Sequence, residues 1–125
     1  MGVYGSSQPL EVFASAARTA AHNSADFASR NCRGLHLIID ATAAVASPGV
    51  TFTIQGKDPV SGVYYTLLTS AAITGTGTTV LRVYPGCVAA ANTIANDALP
   101  GTWRVAVTVA DADSLTYSVG AWLIP

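Results

Sequence analysis

Of 125 residues only 10% are charged while 50% are hydrophobic, and the formal net charge is −1. That length closes one hydrophobic core rather than two, and a charge content so far below the ~25% of an ordinary soluble domain predicts a surface partly covered by a partner or by further copies of the chain. The cationic residues Arg18, Arg30, Arg33, Lys57, Arg82 and Arg104 are scattered and make no basic stripe, which speaks against direct nucleic-acid binding, and no apolar run approaches the ~20 residues of a membrane helix.

Residues Met1 to Pro9, MGVYGSSQP, are rich in Gly and Ser and end in Pro. This composition predicts a flexible N-terminal arm over 1–9 and a folded domain over 10–125. Such an arm can lie on a neighbour, so Val3, Tyr4, Pro9 and Leu10 are candidate interface residues. The opening MGVYGS also fits an N-myristoylation pattern. A pattern this short recurs by chance and one acyl chain anchors only marginally, so a flexible start is the simpler reading. The first residues lack the basic flank and apolar core of a secretory signal, and the chain is expected to be made in a cytoplasm.

From Leu10 to Arg18 the alternation of Val12, Ala14 and Ala16 with Glu11, Phe13 and Ser15 predicts a strand. AHNSADFASRNCRG, Ala21 to Gly34, has no period and reads as a loop. LHLIIDA then places Leu35, Leu37, Ile39 and Ala41 on one face. In TFTIQGKDPVSGVYYTLL, the residues Val50, Phe52 and Ile54 point inward, the turn residues GKDPVSG follow, and YYTLLT returns as a second strand. TTVLRVY and WRVAVTV are further strands, the second carrying Trp103, Val105, Val107 and Val109 in phase. Between them AAANTIANDALPG has room for one helical turn, which Pro100 and Gly101 keep short. The last strand has Leu115, Tyr117, Val119, Ala121 and Leu123 on one face and Trp122 on the other. Six or seven short strands with Gly, Pro, Asn and Asp turns predict an all-β, single-domain antiparallel β-sandwich with jelly-roll-like connections and the extended N-terminal arm. Ile38 and Leu68 are read as apolar residues on outward faces, and Trp122 as an outward interface anchor.

Candidate chemistry is sparse. His22, Ser24 and Asp26 are the residue types of a nucleophilic triad, but they crowd into one loop without a GxSxG elbow, and loop hydrogen bonding explains them better. Asp111 and Asp113 begin like a calcium loop, yet the Gly and Glu that an EF-hand needs later are Thr116 and Trp122, so a β-turn is the fitting reading. Gly75 and Gly77 belong to a turn with no phosphate-binding lysine after it. Cys32 and Cys87 lack zinc-site spacing and are read as free thiols. No cofactor, metal or catalytic residue is expected. Tyr64, Tyr65, Tyr84, Trp103 and Trp122 offer the alternative of a sugar-stacking platform, against which their differing strand phases argue.

The runs VTFTIQGKDPVSGVYYTLLTSAAITGTGTTVLRVYPG, ANTIANDALPGTWRVAVT and DADSLTYSVGAWLI, within roughly Leu35 to Ile124, resemble small structural proteins encoded by tailed bacteriophages and prophages. That group often carries Lys where Val63 stands and a basic residue where Gly101 stands, so this chain has lost charge at both places. The resemblance implies a non-enzymatic virion component, a head decoration or cement protein on the capsid exterior. Its partners would be the major capsid protein and other copies of itself, as a trimer rather than a dimer. The alternatives are a tail, neck or fibre protein of the virion and, from another class, a carbohydrate-binding β-sandwich module.

Overall fold

Alternation sends successive side chains to opposite faces of a strand, and two sheets that are each apolar on one side are stable when those sides meet. The computed structural model describes residues 6–125. Among these residues the chain is all-β, with no helix. The strands are β1 (Gln8–Arg18), β2 (His22–Asn23), β3 (Phe27–Ala28), β4 (Gly34–Ala44), β5 (Val50–Lys57), β6 (Tyr64–Thr69), β7 (Gly77–Val83), β8 (Ile94–Ala95), β9 (Thr102–Val109) and β10 (Leu115–Ile124).

They form two facing sheets. The first has the order β1-β10-β4-β7-β8; the second has the order β2-β9-β5-β6, with β3 also paired to β9. Every pairing is antiparallel except the short parallel contact of β7 with β8. The pairings are nested: β1 with β10, β2 with β9, β4 with β7, β5 with β6. The chain is thus a single-domain β-sandwich.

Its core is made by the residues that the alternation points inward. Leu35, Leu37 and Ile39 of β4, Phe52 and Ile54 of β5, Trp103 and Val105 of β9, and Leu115, Tyr117 and Leu123 of β10 are all buried. Gly34, at the start of β4, leaves room for the Tyr84 ring, whose hydroxyl donates to the Pro125 carbonyl over 2.8 Å. At the opposite end the Arg18 guanidinium covers the rings of Phe13 and Tyr117, 5.4 and 4.6 Å from their centroids, and donates to the Tyr117 carbonyl over 2.8 Å.

Five sequence expectations are corrected. Strand β1 starts at Gln8, so Gln8 and Pro9 are paired with Leu123 and Trp122 instead of belonging to an arm. Register shifts between Glu11 and Phe13 and between Phe13 and Ala16 break the simple alternation of β1; Leu10 and Phe13 therefore both pack against the core. The expected loop from Ala21 to Gly34 supplies β2 and β3, which cover the edge of β9, and the segment after Ala89 forms β8 in place of a helical turn. Leu68 is buried because β6 slips register against β5 between Ile54 and Gln55, which turns it inward, whereas Ile38 does lie on the outer face of β4.

Candidate functional site

Residues directly opposite one another in an antiparallel pair share a face, so the register defines what each outer surface presents. On the outer face of the first sheet one cross-strand row reads Pro9, Trp122, His36, Arg82, and the next reads Glu11, Gly120, Ile38, Val80. Trp122 is 45% exposed although both chain neighbours, Ala121 and Leu123, are buried. A Cβ added at Gly120 would meet nothing closer than the Leu10 carbonyl at 4.0 Å, so this glycine leaves a dip beside the indole. The result is a shallow open groove along β1 and β10, lined by Pro9, Glu11, Ile38, Ser118, Gly120 and Trp122 among others.

His36 sits in the middle of this surface. Burial, followed by the nearby charge of Arg82, holds its pKa below the ordinary histidine value, so the imidazole is neutral at pH 7 and the Trp122 row carries a charge only at its Arg82 end. Of the interface candidates from the sequence, the structure brings Pro9 and Trp122 side by side. Leu10 is the next residue along but turns toward Ala121 and the core. Val3 and Tyr4 lie outside the described residues.

The outer face of the second sheet is different in kind. Thr51, Thr53, Thr69, Thr66 and Thr108 occupy its paired outward positions, and Thr53 and Thr69 share a hydroxyl contact of 3.4 Å. At one end of this face Asp26 is held twice, by Lys57 Nζ at 2.9 Å and by the Tyr64 hydroxyl at 2.7 Å. Arg104 lies flat over the Tyr64 ring at 3.4 Å and donates through Nε to Gln55 Oε1 at 2.8 Å. The hydrogen bonds from Lys57 and Tyr64 lower the Asp26 pKa, and the same carboxylate raises that of Lys57. The sequence places Lys57 among the turn residues GKDPVSG and does not connect it with Asp26, Tyr64 and Arg104. The signal available was the common outward phase of Lys57, Tyr64 and Arg104 on strands that prove to be neighbours; Asp26 comes to them from the loop between β2 and β3.

The other singled-out residues have local tasks. Ser24 Oγ accepts from Val105 N and donates to the Ala25 carbonyl. His22 lies 3.4 Å from the Tyr117 hydroxyl, well away from the Asp26 clamp. Asp111 accepts from the Asp113 amide at 3.0 Å, and Asp113 from the Ser47 amide at 3.0 Å, which ties the β9–β10 turn to the loop before β5. Cys32 and Cys87 are free. Among the described residues no group of three or more His, Cys, Asp and Glu converges on one point.

The aromatic residues do not share one surface. Trp103 is buried, Tyr64 is covered by Arg104, Tyr65 lies over Gly56, Tyr84 lies over Gly34, and Trp122 faces out of the first sheet. No helix among the described residues is long and apolar enough to cross a membrane. No protein-family model matches the chain, and no curated protein matches it in sequence.

Proposed function

We propose that this chain is a non-enzymatic structural protein of a tailed-phage particle that docks on the capsid exterior through the outer face of its first sheet. The observation that carries the reading is the surface around Trp122. A half-exposed indole stands between Pro9 and a neutral His36, beside Gly120 and Ile38, on a chain with only 10% charged residues. An exposed aromatic with apolar neighbours is the usual centre of a protein interface. The nested strand pairing supports a jelly-roll winding for the sandwich, an architecture common in capsid proteins.

The mechanism is mass action on the shell. A protein that binds only the assembled lattice stabilises it by RT ln(1 + [L]/Kd), about 2.7 kcal/mol per site at a hundredfold excess of free protein over Kd. The major capsid protein is the partner, and a trimer seated at local three-fold positions fits a lattice better than a dimer does.

The test is to add the purified protein to shells that lack it, sediment them and count bound copies. Copies on the order of hundreds per shell, with a raised disruption temperature, support decoration. About a dozen or fewer, as a closed ring requires, would move the protein to the neck or tail. Absence of binding together with saturable binding to a glycan panel would replace the reading with the carbohydrate module.

A further inference from the structure

The charged residues look scattered in the sequence, but the fold sorts them by end. Strand β5 runs from Val50, opposite Val109, to Lys57 near Trp103, so the β5–β6 turn and the β9–β10 turn lie at opposite ends of the sandwich. Lys57 and Arg104 are at the β5–β6 end. Arg30 and Arg33 join them, because Ser29 N bonds to the Gly101 carbonyl and Leu99 N to the Arg33 carbonyl. Arg82 pairs with His36, two residues from the same end of β4. Five of the six cations are therefore at one end, with Asp26, Asp58 and Asp97. The far end carries Asp111, Asp113 and, partway along β4, Asp40, with Arg18 as its one cation. Glu11 lies between. With the histidines neutral, one end has two net positive charges and the other two net negative charges.

The bonding of these groups sharpens the contrast. At the cationic end Asp26 is occupied by Lys57 and Tyr64, and Asp58 Oδ1 accepts the Val60 and Ser61 amides of its own turn. Arg30, Arg33 and Arg82 are exposed. Arg104 is fixed by Tyr64 and Gln55 through its ring stack and Nε, and among the described residues its terminal nitrogens bond to nothing. At the acidic end Asp111 is exposed, Asp111 and Asp113 each accept one backbone amide and, among the described residues, face no cationic side chain, and Arg18 is spent on the Phe13 and Tyr117 rings and on backbone carbonyls. Both ends also expose apolar side chains: Val60 and Val63, 94% and 62% exposed, at the cationic end, and Val45, 64% exposed, beside the acidic turn.

We infer that copies of this chain associate head to tail, the Arg30–Arg33–Arg104 end of one meeting the Asp111–Asp113 end of the next. The two surfaces are complementary in charge and lie roughly 23 Å apart along β9, taking seven residues at about 3.3 Å each, so neither can satisfy the other within one chain. The exposed valines supply apolar contact, and the charges set partner choice and orientation. A contact between unlike ends is heterologous and closes into a ring or grows into a filament, unlike the self-matching contact of a two-fold dimer. The inference does not depend on the capsid reading, since it concerns the two ends of the sandwich and not the Trp122 face.

Sedimentation velocity on the purified chain tests it, first in rising salt. Association should weaken from about 0.15 M to about 1 M salt, as the screening length falls from ~8 to ~3 Å. The pair Arg30→Glu and Arg33→Glu should weaken association roughly tenfold or more, as should the pair Asp111→Lys and Asp113→Lys, and the chain carrying all four changes should regain it. Circular dichroism checks that each variant is folded; if an aspartate variant is not, the single exposed change Arg30→Gln combined with the salt series still decides. A chain that stays monomeric, or an association indifferent both to salt and to charge reversal, would overturn the inference.

Discussion

Trp122 shows how one side chain can be read before its surroundings are known. Its neighbours Ala121 and Leu123 are inward and buried, so the indole must point out, and it is 45% exposed. Replacing it with Glu should leave the melting temperature almost unchanged, within about 0.5 kcal/mol of stability, while abolishing sedimentation with shells. A molten product would mean that the indole belongs to the core, and undiminished binding would move the docking surface elsewhere. Gly34 is the opposite case, a small residue whose importance lies in what rests on it. A Cβ there would stand 2.2 Å from the Tyr84 ring and 2.7 Å from the Val83 carbonyl. Gly34→Ala should therefore cost about 1–3 kcal/mol as overpacking, measurable as a lower urea midpoint. An unchanged midpoint would show that Tyr84 moves aside freely.

Strand β1 and the end it closes behave as a unit. The shifts along β1 let Phe13 reach inward, where its ring lies 4.5 Å from His22 and 6.4 Å from Tyr117, with Arg18 above. Burial and the Arg18 charge lower the His22 pKa, as burial and Arg82 lower that of His36. Because both folded-state values lie below the unfolded value of about 6.5, the unfolded chain takes up protons first on acidification. Stability should be full above that pH and decline as pH falls through it toward the folded-state values. Tyr117 acts in the other direction: burial raises its pKa to about 12, so its contribution is complete below about 10 and is lost as pH climbs toward 12. Urea midpoints between pH 7.5 and 5 should fall, and His22→Gln with His36→Gln should flatten the slope. A slope that the double substitution leaves intact would assign the acid sensitivity to other groups.

At the scale of the whole molecule the two outer faces are unlike. The first sheet presents Pro9, Trp122, Ile38 and Val80, and the second presents threonines with the Asp26 clamp at one end. Such a two-sided body suits attachment by one face and hydration of the other. The stability of the isolated chain should come from the sandwich core and owe nothing to a metal, since the described acidic and histidine side chains do not converge. A chelator should leave the melting temperature where it was; a fall of several degrees would place an ion at the Asp111–Asp113 turn.

What the chain states locally, it states well. Alternation alone identified the inward residues of β4, β5, β9 and β10, the two-sheet fold class and the outward position of Trp122, because a strand's period of two is a property of consecutive residues. It failed at Phe13 and Leu68, where extra residues in β1 and β6 change the phase and no composition signal marks the shift. Only the tertiary structure decided that Pro9, Trp122, His36 and Arg82 form one row, that Asp26 closes on Lys57 and Tyr64, and that five cations gather at one end. The reason is that alternation specifies which face a residue takes but not which strand lies beside it. Backbone hydrogen bonds pair any two strands alike, and the choice among them is made by the packing of the whole core.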